Sequence, residues 1–487
     1  MSEAGFEKGC GMSDQTLAVA GETLAGFGYK QELRRSLSLF DLLIYGLVFI
    51  APTAPFPTFG IVFNNSHGMV PLVYIVGFVA MVFTALSYMT MARTFPVAGS
   101  VYTYAGRGIG AGAGFLAGWA LLLDYLLIPT GVYVICAVAV QAVIPDVPKG
   151  VWVVVFLAFN TAVNVYGVEM AARMNAALLT LQLLLLASFM VLAAIALAHG
   201  VGGAHLSLKP LFDPAQVSAA VIFGALPVAA LSFLGFDAIS TMSEEAKGGP
   251  PAVAKATMLA LVLAATLFVA QTYLASLLVL NIKRFAPGDP TNQAFFYICN
   301  LIGGPTFKWV VSIFGVLFGG VAGALVAQAA TARLIYSMAR DGRLPRALAR
   351  VNPVRQVPVP AALLVAAITL VLGLSLVSQL ELLLTVVTFG ALTGFLMLHV
   401  SVIVHFTWRK RSRQWVRHLI VPAIGAAIIG YILISAETHA KIVGLTWMAI
   451  GVAILIWLKL SGKLPALPAA DDQVVGDPSN RPSTIQG

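Results

Sequence analysis

Charged residues are scarce in this chain of 487 residues. Asp, Glu, Lys and Arg make up 10% of it, whereas 59% of the residues are hydrophobic and the mean hydropathy is +0.91. An average globular domain contains about 25% charged residues. The composition therefore excludes a soluble globular fold and predicts an all-α polytopic membrane protein.

Cysteine is also rare. Cys10, Cys136 and Cys299 show no paired spacing, so neither a disulfide framework nor a metal site is predicted. The alternating glycines of residues 106–118 superficially match a dinucleotide fingerprint, but no strand precedes them, and close packing between helices explains them better. Since no nucleophile stands beside a base in a recognisable motif, we expect no enzymatic activity, no cofactor and no metal.

A cleavable signal peptide is not predicted either. Residues 1–36 are polar and glycine-rich and predict an N-terminal tail, while residues 464–487 are rich in Pro, Ala, Asp and Ser and predict a disordered C-terminal tail. Residues 37–408 hold ten predicted spans that form one core, and residues 409–463 hold two more.

The twelve predicted spans are apolar segments of about 20 residues each. They are centred near Gly46, Met81, Tyr125, Phe159, Phe189, Ala230, Phe268, Gly323, Thr369, Leu392, Ala426 and Val452. Most Lys and Arg residues fall in the connections on the side of the two termini, so both termini are expected to be cytoplasmic. The net charge of +9 is then a consequence of topology, with some contact to membrane lipids, and predicts no nucleic-acid binding.

Two of the spans contain signals for a helix break. The first carries three prolines within residues 51–57, which a single regular helix cannot accommodate. The sixth contains Gly235-Phe236-Asp237 within residues 231–245, and it ends on Glu244-Glu245. Broken spans in matching positions of two five-span repeats indicate a transporter site, whereas the alternative is a proline kink and a glycine packing contact.

The deep interior contains two acids, Asp124 in the third span and Asp237 in the sixth, and no Lys or Arg. Asp124 lies about 18 Å from the predicted start of its helix, near the midplane. Intramembrane acids indicate functional sites, although a hydrogen bond to another helix is the alternative for each. Gln182 in the fifth span predicts a hydrogen bond between helices.

The prolines of the first span bear on the charge of the ligand. Transporters that bind an amino acid carboxylate commonly use free N–H groups at the start of a half-helix. Pro52, Pro55 and Pro57 remove three such donors. The site is therefore better suited to an amine than to a carboxylate, and nearby aromatic rings would favour a cation.

Four motifs resemble those of the amino acid–polyamine–organocation (APC) superfamily of permeases. They are FPVAGSVYTY at 95–104, GW and LDY at 118–119 and 123–125, FLGFD with SEE at 233–237 and 243–245, and YSMARDG at 336–342. The resemblance implies the LeuT-like fold of five plus five inverted repeats, with broken helices 1 and 6 around the substrate. It also implies a multi-pass protein of the bacterial inner membrane.

Within the superfamily the chain is most similar to bacterial putrescine importers, in residues 28–33, 122–126 and 232–237. These importers resemble this chain in having glutamine at the position of Gln182, where many proton-coupled amino acid permeases have lysine. They differ from it in carrying an acid where this chain has Pro57. We therefore expect import of putrescine or a related amine, by proton symport. An amino acid permease of the same fold is the alternative. The short termini disfavour a receptor, and the paired breaks disfavour a channel.

The expected site combines backbone and side chains around both breaks. Gln182, Glu244 and Glu245 are expected to act in coupling and gating. The expected substrate-binding residues are Ala51, Thr53, Ala54, Phe56, Asp124, Tyr125, Ser232, Phe233, Gly235, Phe236 and Asp237.

Overall fold

The computed structural model describes residues 29–461 except 142–143, 145, 288, 378–379 and 436–437. The predictions for residues 1–28 and 464–487 therefore lie outside the described residues. The first eight helices are α1 (Leu39–Ile50), α2 (Pro55–Asn65), α3 (Val70–Thr94), α4 (Val101–Gly108), α5 (Ala111–Gln141), α6 (Lys149–Tyr166), α7 (Val168–Ala198) and α8 (Ala219–Leu231). The rest are α9 (Gly249–Leu277), α10 (Asp289–Asn292), α11 (Ala294–Arg340), α12 (Val359–Ser375), α13 (Leu380–Val402), α14 (Val421–Ser435) and α15 (Thr438–Leu460).

The described residues form an all-helical structure. Their only contact of β type is one parallel bridge between Leu37 and Ala246. Ten helical stretches in this part of the chain are long and apolar enough to cross a membrane, and α1 with α2 pass the same test as one span bent by 54°. α12 is apolar but, at 17 residues, too short to pass this test. A polytopic membrane protein is thus confirmed, while the number of twelve spans stays a prediction.

Local sequence sets the ends of the first broken span. Ser38 caps α1, since its hydroxyl accepts the Asp41 N–H at 3.2 Å while the Asp41 carboxylate accepts the Ser38 N–H at 2.9 Å. α1 ends at Ala51, whose φ of +58° leaves the helical region, and Pro52 follows. Pro55 then occupies the first position of α2, where its missing N–H has no cost.

Long helices pack closely around both breaks. α5 lies against α11 and α13, and α3 lies against α9. Trp119 of α5 stacks on Trp447 of α15 with ring centroids 4.5 Å apart, and each indole N–H donates to the other residue's backbone carbonyl at 2.8 and 2.7 Å. α5 is therefore held on several sides, which gives the acid and phenol that it carries a fixed position.

Candidate functional site

The two predicted breaks are present, and they touch. α8 ends at Leu231, a turn follows, and a short 3₁₀ segment runs from Phe236 to Met242. Gly235 links them with a φ of +118°, a conformation that side-chain-bearing residues rarely adopt. A Cβ on Gly235 would lie 2.9 Å from the Phe49 ring and 3.1 Å from the Ile50 nitrogen. The second break therefore packs directly on the end of α1.

Backbone N–H groups at the first break are already engaged. The Ala54 N–H donates to the Ala51 carbonyl at 2.9 Å, and the Phe56 N–H donates to the Thr53 carbonyl at 3.0 Å. From α9, the Gln271 amide donates to the Pro52 carbonyl at 2.9 Å. With the prolines removing further donors, these contacts leave the break poor in groups that would hold a carboxylate.

Thr53 and Gln182 both lie against the same face of Gly319, a small residue of α11. A Cβ on Gly319 would lie 3.3 Å from the Thr53 hydroxyl and 3.5 Å from the Gln182 amide oxygen. The Gln182 amide nitrogen donates to the Phe318 carbonyl at 3.3 Å, whereas its oxygen is buried without a partner. Gln182 thus ties α7 to α11 beside the first break, as expected for a hydrogen bond between helices.

Asp237 is the acid at the second break. It is 2% exposed. The Tyr125 hydroxyl donates to one carboxylate oxygen at 2.6 Å and the Gly235 N–H donates to the other at 3.2 Å. Thr331 of α11 donates to the Tyr125 carbonyl at 2.7 Å and fixes that turn of α5. These two donors, one on each oxygen, hold the Asp237 carboxyl group in a defined orientation.

Asp124 contacts a different helix from Tyr125, its neighbour in the sequence. It is also 2% exposed, and one of its carboxylate oxygens has no partner. Gly390 of α13 lies against it, because a Cβ there would be 2.8 Å from the Asp124 nitrogen and 3.2 Å from its Cβ. Tyr125 reaches the second break, whereas Asp124 faces α13.

Neither acid is neutralised by a cation. The ion pairs found in the described part of the chain involve Arg34, Arg333 and Arg340. An unpaired buried carboxylate is costly in a membrane. The interior therefore offers negative charge to a cationic ligand or to a proton.

The aromatic residues of the predicted site mainly pack within the core. Phe56 stacks on Phe295 with centroids 3.9 Å apart, at the start of α11. Phe233 lies 5.2 Å from Phe268. Phe236 lies 5.7 Å from Phe395 of α13. These contacts give the rings a structural role in this conformation.

A chain of hydroxyl groups joins the two breaks on the α3 side. The Tyr74 and Ser232 hydroxyls are 3.0 Å apart, and the Thr58 and Tyr74 hydroxyls are 3.1 Å apart. Ser232 thus links the end of α8 to α2 through Tyr74 of α3. The sequence reasoning did not single out Tyr74 or Thr58, because buried hydroxyl residues in apolar helices carry no distinctive pattern.

Two buried ion pairs lie at one end of the bundle, which we call the basic end. Arg340 donates to both carboxylate oxygens of Glu244 at 3.0 and 2.8 Å, and Arg333 likewise binds both oxygens of Glu245, one of them at 2.8 Å. The Ala98 N–H donates to Glu244 at 3.0 Å. α11 is therefore clamped to the segment that follows the second break.

Residues 29–37, which we call the strap, cross these ion pairs. The Tyr29 hydroxyl donates to Asp341 at 2.8 Å, and the Arg340 guanidinium lies 4.0 Å from the centroid of the Tyr29 ring. Gln31 donates to the Glu244 carbonyl at 3.0 Å, and the Ser36 N–H donates to the Glu245 carbonyl at 3.1 Å. The end of the predicted N-terminal tail is thus packed against the two ion pairs of the basic end.

The pKa of the Tyr29 phenol is raised above its ordinary value of 10.0, first by burial and then by the Asp341 carboxylate. The hydroxyl consequently stays protonated and remains a donor. Tyr102 of α4 donates to the other Asp341 oxygen at 2.7 Å. Asp341 therefore receives two phenolic hydrogen bonds, one from the strap and one from the helical bundle.

Comparison with known proteins shows which proteins this chain is similar to. A low-affinity putrescine importer, PlaP of Escherichia coli strain K12, is 32% identical over 91% of this chain and 97% of its own length. The branched-chain amino acid permease BcaP of Bacillus subtilis is 26% identical over 90% and 93%. A methylthioribose transporter of the same organism is 25% identical over 89% and 95%.

The apolar helices and these relatives define a multi-pass membrane transporter of the amino acid and polyamine type, not an enzyme. A sequence profile described as "Amino acid permease" matches residues 39–458. The chain belongs to the amino acid permease family. The resemblance to APC permeases, and to putrescine importers among them, is thereby confirmed.

Proposed function

We propose that this protein is a secondary transporter that imports putrescine or a related small amine across the bacterial inner membrane, by proton symport. The observation that carries the proposal is the charge of the interior. Two buried acids adjoin or flank the breaks without a cationic partner, and the backbone donors of the first break are already used. The putrescine importer among the relatives supports the same substrate class.

The proposed architecture has twelve spans. α1 with α2 form span 1, and α8 with the 3₁₀ segment form span 6. Spans 1–5 and 6–10 are the two inverted repeats of a core at residues 37–408, and residues 409–463 add spans 11 and 12. The basic end faces the cytoplasm, together with both termini, because it carries most of the Lys and Arg residues.

The roles follow from the contacts. Asp237, oriented by Tyr125 and Gly235, binds the ammonium group of the substrate. The carbonyls of the two breaks, including those of Ala51 and Thr53, add hydrogen bonds as the breaks separate. Asp124 compensates the second charge of a diamine or exchanges the coupled proton.

The gating roles belong to the basic end. Glu244 and Glu245 hold the cytoplasmic side closed through Arg340 and Arg333, and the strap reinforces that closure. Gln182 ties α7 to α11 with a neutral side chain, so no lysine at this position competes with the cationic substrate. Release of the amine requires these contacts to open.

Uptake by reconstituted protein tests the proposal. Proteoliposomes with an alkaline interior should accumulate labelled putrescine in a saturable manner, and a protonophore should abolish accumulation. Asp237→Asn should raise the KM for putrescine at least tenfold, because a hydrogen bond to a charged group contributes about 1.5–3 kcal/mol. Tyr125→Phe is the matched control, since it removes the hydroxyl group that donates to Asp237 and leaves the Asp237 carboxylate in place.

The second candidate is a proton-coupled amino acid permease, which the similarity to a branched-chain amino acid permease favours. Uptake of leucine or another zwitterion without uptake of amines would replace the first candidate by this one. Flux that rises without saturation would indicate a channel. Accumulation that is indifferent to the pH gradient would remove proton symport.

A further inference from the structure

A small cavity lies between α1, α6, α7 and α11 towards the basic end, apart from the two breaks. It provides room of about 20 Å³, which suffices for one group the size of a water molecule. Asp41, on its wall, precedes the break at Ala51 by ten residues, or about 15 Å of helix. The cavity thus lies along α1 between the proposed substrate site and the cytoplasm.

The polar wall of this cavity contains one buried acceptor without a donor. Asn175 is 2% exposed, lines the cavity, and its amide oxygen has no partner. Asp41 also lines the cavity; it is half-buried, and its Oδ2 accepts from the N–H and the hydroxyl of Ser38. The buried Asn175 oxygen requires a hydrogen-bond donor.

The cation on the same wall does not supply that donor. Arg333 directs Nε and one terminal nitrogen to Glu245 and the other terminal nitrogen to the Ala329 carbonyl at 3.0 Å. Asn164 directs its amide nitrogen to the Leu325 carbonyl at 3.1 Å. The cavity therefore presents a carboxylate and an unpartnered amide oxygen within otherwise largely apolar walls.

We infer that this cavity is an exit subsite for a primary ammonium group, formed by Asp41 and Asn175. An ammonium group has the size of water, carries three donors, and matches one carboxylate and one amide oxygen. Leu37 of the strap lines the cavity, so movement of the strap would open a way out for the group. The inference rests on the proposed function, because it assumes that an amine passes this way.

Opposite substitutions at Asn175 test the subsite. Asn175→Asp should lower the KM for putrescine entering everted membrane vesicles, and Asn175→Leu should raise it, each by about tenfold. The KM in right-side-out vesicles, set by Asp237, should not change in either variant. A residue with only a structural role would impair transport in both variants alike.

The control adds a charge elsewhere at the same end. Gln414 is exposed, so Gln414→Glu provides a negative charge outside the cavity and should leave both KM values unchanged. Thermal stability of the purified variants reports folding, and Asn175→Asp preserves the shape of the side chain. Changes of KM in the same direction in both Asn175 variants, or no change, would overturn the subsite while leaving the proposed function intact. Absence of amine uptake by the unmodified protein would overturn both.

Discussion

The hydroxyl group of Tyr29 gives the sharpest test of how the basic end is closed. Tyr29→Phe removes the hydrogen bond to Asp341 but keeps the ring on which the Arg340 guanidinium lies. A hydrogen bond to a charged group contributes about 1.5–3 kcal/mol. We take the lower part of this range, because Tyr102 still donates to Asp341. The fraction of molecules with a released strap should then rise about tenfold.

Trypsin measures that fraction directly. Lys30 is exposed but adjoins Tyr29 in the strap, and cleavage after it requires the segment to leave the bundle. When opening and closing are fast, the cleavage rate follows the population of the open form. In everted vesicles, Tyr29→Phe should therefore be cut after Lys30 about ten times faster than the unmodified protein.

Tyr102→Phe is the matched control. It removes a phenolic hydrogen bond to the same carboxylate, of nearly equal length at 2.7 Å, but it does not touch the strap. Its cleavage rate should stay near that of the unmodified protein. Equal acceleration in both variants would show that Asp341, and not the strap, controls the closure, and no acceleration in either would refute the reasoning.

The pH dependence of the same assay follows from Tyr29. Its pKa is raised above 10.0 by burial and by Asp341, so the protonated phenol is favoured in the closed form. The stabilisation is fully present below the ordinary pKa and is lost only as the pH rises through the raised one. The ratio of the cleavage rate of Tyr29→Phe to that of the unmodified protein should consequently be constant from about pH 6 to about pH 9.

Three further perturbations address the interior. Gly235→Ala should abolish uptake and lower the Tm, because the new Cβ would meet the end of α1 and the residue would keep a strained, positive φ. Gly430→Ala is the control and should change neither quantity, because the space next to Gly430 is open. Glu245→Gln should destabilise the protein by about 3–5 kcal/mol in thermal unfolding because Arg333 loses its buried partner, and combining it with Arg333→Met should restore most of the loss. Asp124→Asn should retain the Tm, because one oxygen lacks a partner, while weakening the response of putrescine uptake to a pH gradient. An unchanged response would assign the proton to another group.

The breaks could be predicted because their signals are local. Three prolines within six residues exclude a continuous helix whatever surrounds them. Gly235 beside an intramembrane acid marks the second break in the same way, and its φ of +118° shows why glycine is needed there. That the breaks touch through Gly235 and Phe49 could not be predicted, because it depends on packing between distant segments.

The closure of the basic end could not be predicted for the same reason. Tyr29 and Asp341 are 312 residues apart, and Glu244 and Arg340 are 96 apart. The sequence does contain a hint. Arg333 and Arg340 are seven residues apart, two turns of one helix, and two adjacent acids at 244–245 need partners at the same depth.

The pair Asp124-Tyr125 shows how far adjacency in the sequence can mislead. Successive residues of a helix point about 100° apart, so the two side chains leave α5 in different directions. Tyr125 contacts Asp237 at the break, while Asp124 faces Gly390 of α13. Adjacency in the sequence therefore does not give Asp124 the hydrogen bond that Tyr125 makes to Asp237.

The separation of the two acids suggests how binding and coupling can be divided between them. Asp237 belongs to the break itself and is held by one donor from the break, the Gly235 N–H, and one from α5, the Tyr125 hydroxyl, so any movement of the break relative to α5 changes its surroundings directly. Asp124 is carried by α5, which the reciprocal Trp119–Trp447 contact and the packing of α11 and α13 hold in place. Under the proposed function, an acid on the break would respond to the substrate, whereas an acid on α5 would keep its environment through the transport cycle. Asp237 would therefore serve binding and Asp124 coupling, and a diamine is the ligand that would engage both carboxylates.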